Sequence, residues 1–173
     1  MCDFYVFYRQ INPPTPSTTS LRYKGQRPAG DRVVVLQDTD GDGKCDHSHT
    51  FVQETGFIAP LGIAVFDNIV YVSQPPDLLA YTDVNRDLRF DPAVDKREVI
   101  LTGFNAINHD HGLHSLVAGP GGKFYFNNGN CGAVFTDKSG KTFYLAIEFI
   151  AQLLNLSLIH ISEPTRQAEI SYA

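Results

Sequence analysis

The sequence predicts an all-β chain, a partial β-propeller of about two and a half four-stranded blades. Three observations predict it. Short β-prone runs alternate with turn residues from Arg32 onward, no helical period is evident before Tyr144, and the runs repeat at the spacing of a propeller blade.

The elements follow in order. Phe4 to Tyr8 is an aromatic run that suits a strand, and Asn12 to Ser20 is rich in Pro, Ser and Thr and reads as an extended loop. Residues 1–31 are therefore a partial blade strand with its connection, and 32–143 the incomplete propeller. Within it the expected strands are Val33–Gln37, His49–Gln53, Gly62–Phe66, Ile69–Ser73, Leu78–Thr82, Glu98–Thr102, His114–Ala118, Lys123–Asn127 and Ala133–Thr136.

These runs echo one another. Asp38-Thr39-Asp40 returns as Tyr81-Thr82-Asp83, 43 residues on, and Glu54-Thr55-Gly56-Phe57 as Leu101-Thr102-Gly103-Phe104, 47 residues on. Gly62-Ile-Ala-Val with Asn68-Ile-Val-Tyr-Val returns as His114-Ser-Leu-Val with Gly122-Lys-Phe-Tyr-Phe, about 52 residues on. One blade can be read whole, from an inner strand at Gly62–Phe66, through Asp67-Asn68 and Pro75-Pro76-Asp77 as turns, to an outermost strand at Glu98–Thr102. A β-sandwich is the competing fold, and the agreement of period with strand order favours the propeller.

Composition narrows the function classes. Apolar residues make up 43% and charged residues 19%, as in folded globular domains. The formal charge is −5 with no basic run, so a nucleic-acid partner is not expected. The longest apolar stretch, Phe143 to Leu154, is broken by Glu148 and Gln152 and does not reach membrane length. No signal peptide follows Met1. Cys2, Cys45 and Cys131 have neither CxxC nor CxxCH spacing; a Cys45–Cys131 bridge is compatible with it, and buried free thiols are the favoured reading.

The last eighteen residues, 156–173, do not fit the pattern. They read as the translation of a transposase-type sequencing adapter, in which CTG TCT CTT ATA CAC ATC T gives Leu-Ser-Leu-Ile-His-Ile. That segment is set aside, with His160 and Glu163. Residues 144–155 (YLAIEFIAQLLN) are native or a frame error before the junction, and their composition favours a helix, native or spurious.

The densest chemical signal is Asn108-His-Asp-His-Gly-Leu-His114, ahead of an expected inner strand. Loops entering inner strands stand at the mouth of a propeller's channel, and imidazole titrates near neutrality, so a histidine there can act as a general base. Asp110-His111, then Leu116-Val-Ala-Gly-Pro-Gly-Gly-Lys-Phe-Tyr125 and Gly129, resembles the active-site strand of soluble PQQ-dependent glucose and sorbosone dehydrogenases. The chain is more similar still to large proteins described as membrane-bound dehydrogenases, whose N-terminal propeller precedes helical repeats and a c-type haem domain. That resemblance also takes in Asp38–Asp46, Tyr71–Leu79 and Glu98–Phe104, and runs from about Gly30 to Thr142.

The resemblance implies a sugar or alcohol substrate, PQQ as cofactor, and export to the periplasm. It makes His111 the base that takes the hydroxyl proton, Asp110 the residue that orients it, and His114 a neighbour in the cleft. The family's quinone-binding Arg and Lys and its cofactor calcium ligands belong to later blades, and haem c to a further domain, none of which this chain carries. A partial ring is accordingly expected to be inactive alone and poorly soluble. The plainer reading is that His109, His111 and His114 cap backbone groups in a polar loop, in a propeller that binds carbohydrate or protein without redox chemistry.

The loop Asp38-Thr-Asp-Gly-Asp-Gly-Lys-Cys-Asp46 sets carboxylates at alternate positions among glycines. That pattern suits a structural calcium ion held by Asp38, Asp40, Asp42, Lys44 and Asp46. It also suits a plain hairpin turn favoured by Asp-Gly chemistry. Asp83-Val-Asn-Arg-Asp-Leu-Arg-Phe-Asp91 is a second copy in which Leu88 replaces a glycine.

Overall fold

The computed structural model describes residues 3–8, 29–58, 60–106, 111–119, 123–129 and 132–145. Their order is β1 (Asp3–Tyr8), β2 (Arg32–Gln37), β3 (His47–Gln53), β4 (Gly62–Phe66), β5 (Ile69–Gln74), β6 (Asp77–Thr82), β7 (Lys96–Thr102), β8 (Leu113–Ala118), β9 (Phe124–Asn128), β10 (Ala133–Asp137) and β11 (Thr142–Leu145). Every pairing among them is antiparallel. The architecture is all-β, propeller-like and partial, with no closed barrel among the described residues.

The complete unit is β4-β5-β6-β7, four strands joined in sequence order. The unit before it is β1-β2-β3, and its register repeats that of β5-β6-β7. Arg32 pairs with Gln53 as Asp77 pairs with Thr102, and Gln37 with His47 as Thr82 with Lys96. Even the bulge recurs, between Val33 and Val34 in one unit and Leu78 and Leu79 in the other. The true offsets are thus 45 residues for β2 against β6 and 49 for β3 against β7. The sequence echoes at 43 and 47 were each two residues out of register.

The middle sheet is covered on both faces. Val70, Val72, Leu79 and Tyr81 pack against Val33, Val35, Phe51, Val52 and Phe57 of the preceding unit. Tyr71, Leu78, Ala80 and Leu101 pack on the other side with Leu113, Leu116, Phe124, Phe126 and Phe135. This is why β5 and β6 read as nearly continuous apolar runs rather than alternating ones. Each fully buried Val, Leu or Phe side chain contributes about 1.5–3 kcal/mol. The half-exposed Arg97–Glu54 pair that bridges the first two units belongs to a class that contributes about 0–1 kcal/mol. Face-to-face stacking, not ion pairing, holds the units together.

The third unit is split. β8 and β9 form a two-stranded sheet, while the β10–β11 hairpin joins β7 through Thr136–Thr102 and Asp137–Leu101. Gly103 permits this approach, since a Cβ there would lie 2.4 Å from the Val134 carbonyl oxygen, and its φ is +111°. Phe135 then stacks between Phe104, at 4.7 Å, and Phe143, at 5.2 Å. Tyr144 and Leu145 close β11 as a strand, so the helix expected over 144–155 does not begin at Tyr144, and residues 146–155 lie outside the described residues. The strand alternates in burial, but at four residues it is too short for that alternation to be read from sequence.

Candidate functional site

His111 stands two residues ahead of β8, which begins at Leu113 after Gly112. Its place is set by two glycines. A Cβ on Gly129 would stand 2.2 Å from the His111 Cα, so the main chain at His111 rests directly on Gly129. The Gly129 N–H donates to the Gly112 carbonyl at 3.0 Å, and Gly112 in turn lies against the Asn105 carbonyl and the Pro75 ring. β8 also runs beside β4, where Gly62 admits the His114 carbonyl; a Cβ there would be 2.7 Å from it. The two strands that open their units are therefore neighbours.

His111 is half-buried, and so is His114, which sits on β8 itself. Asp110 and His109 lie outside the described residues. The structure thus sets the His111 main chain against the end of β9 and the His114 main chain against β4, while the orienting role expected of Asp110 falls on a residue it does not describe.

That end of β9 carries a side chain the sequence reading missed. Asn128 is 4% exposed, and its Nδ2 donates to the Gly129 carbonyl at 2.9 Å and to the Gly132 carbonyl at 3.4 Å. Its Oδ1 is buried and has no donor. The register that pairs Leu116 with Phe126 as Ile63 pairs with Val72 makes Asn128 the counterpart of Gln74 at the end of β5. It also moves the expected inner-strand echo by one residue, to 53. Gln74 is fully used: Nε2 donates to the Pro75 and Ile58 carbonyls, and Oε1 accepts the Ile58 N–H at 3.0 Å. The sequence echo of Asn68 with Gly122, 54 residues on, carries through to this pair, but it does not show that the Asn128 oxygen is left without a donor.

The acidic loop joins β2 to β3. Carboxylate oxygens of Asp38, Asp40 and Asp42 all lie within 4.8 Å of one another, a donor set that fits a hard cation such as calcium. Backbone N–H groups of Gly41, Asp42 and Gly43 turn inward onto the Asp38 carboxylate, and Gly41 and Gly43 have φ of +79° and +84°. Lys44 reaches Asp42 with its ammonium at 3.6 Å. Asp46 is turned away, accepting from the Thr39 N–H and hydroxyl, and those bonds hold its carboxyl below the usual range. Three of the five expected ligands converge.

The second loop, between β6 and β7, has the same frame. Asp83 accepts from the Asp87 and Leu88 N–H groups as Asp38 does from Asp42 and Gly43. Arg86 and Leu88 hold φ of +59° and +63°, the left-handed positions that Gly41 and Gly43 fill in the first loop. Here Asp83 is buried, and the Asn85 amide is bonded to Asp87.

A cleft of about 520 Å³ opens between β3 and the β6–β7 connection, lined by Thr50, Phe51, Val52, Glu54, Phe90 and Arg97, among others. It lies at the outer strands, away from the end of β8 that carries His111.

Among known proteins, one family description matches: a domain of unknown function, DUF7133, over residues 14–158. No curated protein and no solved structure matches.

Proposed function

The chain belongs to the DUF7133 family, and we propose that it is part of a quinone-dependent sugar or alcohol dehydrogenase-like propeller in which His111 is the general base. What supports the reading is the position of His111 at the entry to β8, beside the strand that opens the neighbouring unit, with a main chain fixed by Gly129 and Gly112. A half-buried imidazole held at that point reaches solvent from a rigid support. The role of the ring is to take the proton of a substrate hydroxyl.

PQQ, when bound, supplies the hydride acceptor. It carries three carboxylates, and the described residues around His111, namely Pro75, Gly112, Leu113, Asn128 and Gly129, offer no cation. These residues do not fit such a group by themselves. Export to the periplasm belongs to the same proposal.

The test uses the longest reading frame that carries these residues, expressed whole with added PQQ, a redox dye, and a panel of aldoses and alcohols. Dye reduction that falls at least about a hundredfold in His111→Ala is the expected result. Dye reduction unaffected by His111→Ala overturns the assignment.

A second reading has its own observation. The converging Asp38, Asp40 and Asp42 carboxylates favour a calcium-stiffened propeller that binds carbohydrate or protein without redox chemistry. Sugar binding that survives in the absence of any dye reduction supports it.

A further inference from the structure

We propose that Asn128 is a positioning residue for His111: its carboxamide oxygen accepts the Nδ1–H of the His111 imidazole, which leaves Nε2 as the free base. The inference rests on the reading of His111 given above.

Four observations converge on it. The Asn128 oxygen is buried and without a donor, in a side chain only 4% exposed. Its identity as oxygen is fixed, because the other amide atom faces two carbonyls, Gly129 and Gly132, and must be the nitrogen. Native proteins pair almost every buried polar atom, so an orphan acceptor points to a donor that moves or binds there.

The repeat says where that donor comes from. In the complete unit the corresponding oxygen, on Gln74, accepts from Ile58, in the segment leading into β4. In the third unit the segment leading into β8 is the one that carries His111, and the His111 main chain rests on Gly129, the residue after Asn128. Asparagine is one methylene shorter than glutamine and does not reach the backbone as Gln74 does. The longer donor in that segment is the imidazole, which has no hydrogen-bond partner among the described residues. Nδ1 is the ring nitrogen nearer the main chain, so it is the one that an acceptor beside the main chain can engage. Holding one ring nitrogen by a neutral acceptor fixes tautomer and orientation without adding charge.

The experiment is ring-nitrogen NMR of the histidines in the whole chain, labelled with nitrogen-15, at a pH where the imidazoles are neutral. An unconstrained imidazole in water is mostly the Nε2–H tautomer. The expected result is that His111 is mostly Nδ1–H in the wild type and reverts to mostly Nε2–H in Asn128→Leu, while His47 keeps its own tautomer. A wild-type His111 that is mostly Nε2–H overturns the proposal, and that result needs no variant to fold. If Asn128→Leu folds and leaves His111 as Nδ1–H, the proposal also falls. The dye assay fails separately: an Nδ1–H ring without dehydrogenase activity leaves the positioning role standing and removes the redox reading.

Discussion

His49 and Leu88 tie two units together: the His49 Nε2 lies 2.9 Å from the Leu88 carbonyl oxygen, and Leu88 itself holds a left-handed φ of +63°. A carbonyl only accepts, so Nε2 carries the proton, and the buried Nδ1 is left without a partner. The left-handed conformation costs a branched side chain about 1–2 kcal/mol. Three contacts hold it there: this hydrogen bond, the Leu88 N–H donated to the Asp83 carboxylate at 2.9 Å, and the packing of Leu88 and Phe90 against the cluster around Tyr81. His49→Ala removes the bond, and the expected loss is about 1 kcal/mol. The check is the midpoint of urea unfolding; an unchanged midpoint would mean that the Asp83 hydrogen bonds and packing hold the loop without His49.

The glycines give a sharper contrast. A Cβ at Gly30 would fall 1.7 Å from the Glu54 carbonyl oxygen, and its φ is +78°. At Gly41 the φ is +79°, yet a Cβ would meet nothing within 4 Å. Gly41→Ala therefore carries only the conformational term, about 1 kcal/mol. Gly30→Ala adds a backbone clash that rigid neighbours must absorb, and about 3 kcal/mol or more is expected. Equal losses in the two variants, measured by chemical unfolding, would show that the β2–β3 sheet yields at no cost.

How much of this was legible in the sequence depends on the signal each feature leaves. The strands of the complete unit were legible because Gly62–Phe66, Ile69–Gln74 and Asp77–Thr82 are apolar runs between clear turn residues. The repeat was legible, in register for β5 against β9 and two residues out of it for β2 against β6 and β3 against β7. Asp40 was aligned with Asp83, whereas the pairing aligns Asp38 with it, because a Thr-Asp dipeptide recurs by chance two residues away. Of the candidate site, the His111 loop and the acidic loop stood out as clusters. Asn128 did not, since its significance lies in what its oxygen lacks, and that is a property of packing. The joining of β10 to β7 was equally hidden, being set by a glycine gap and a stack of three phenylalanines from distant positions.

The buried tyrosines set an alkaline limit. Burial, helped by the nearby Glu98, pushes the Tyr71 phenol up to about 12, and burial beside Glu54 pushes Tyr81 up as well. The folded chain thus favours the neutral phenols. Their contribution is complete below the unfolded value of about 10 and is lost as pH rises through the folded value. Unfolding is expected as pH rises from about 10 to 12, with phenolate absorbance and loss of β-sheet circular dichroism moving together. Tyr71→Phe removes one of the two groups and should shift that transition to higher pH. Phenolate formation well before the loss of structure would show that solvent reaches these rings in the folded state.

The acidic loop predicts a metal response that the second loop does not share. In the first loop three exposed or half-exposed carboxylates converge within 4.8 Å, and backbone N–H groups and the Lys44 ammonium, 3.6 Å from Asp42, offset their repulsion in part. A divalent cation relieves the rest and stabilises the chain by binding the folded loop alone. In the second loop Asp83 is buried on backbone N–H groups and Asn85 donates to Asp87, so the loop is closed by its own hydrogen bonds. Calcium should therefore raise the melting temperature, saturating at roughly 0.1–1 mM as in exposed, loosely built sites. Magnesium should do less, because it gives up its water reluctantly and demands stricter geometry. Asp42→Asn should abolish most of the calcium shift, while Asp87→Asn should leave it intact. A calcium shift that survives Asp42→Asn and disappears in Asp87→Asn would move the ion to the second loop, and with it the reason for the two glycines at 41 and 43.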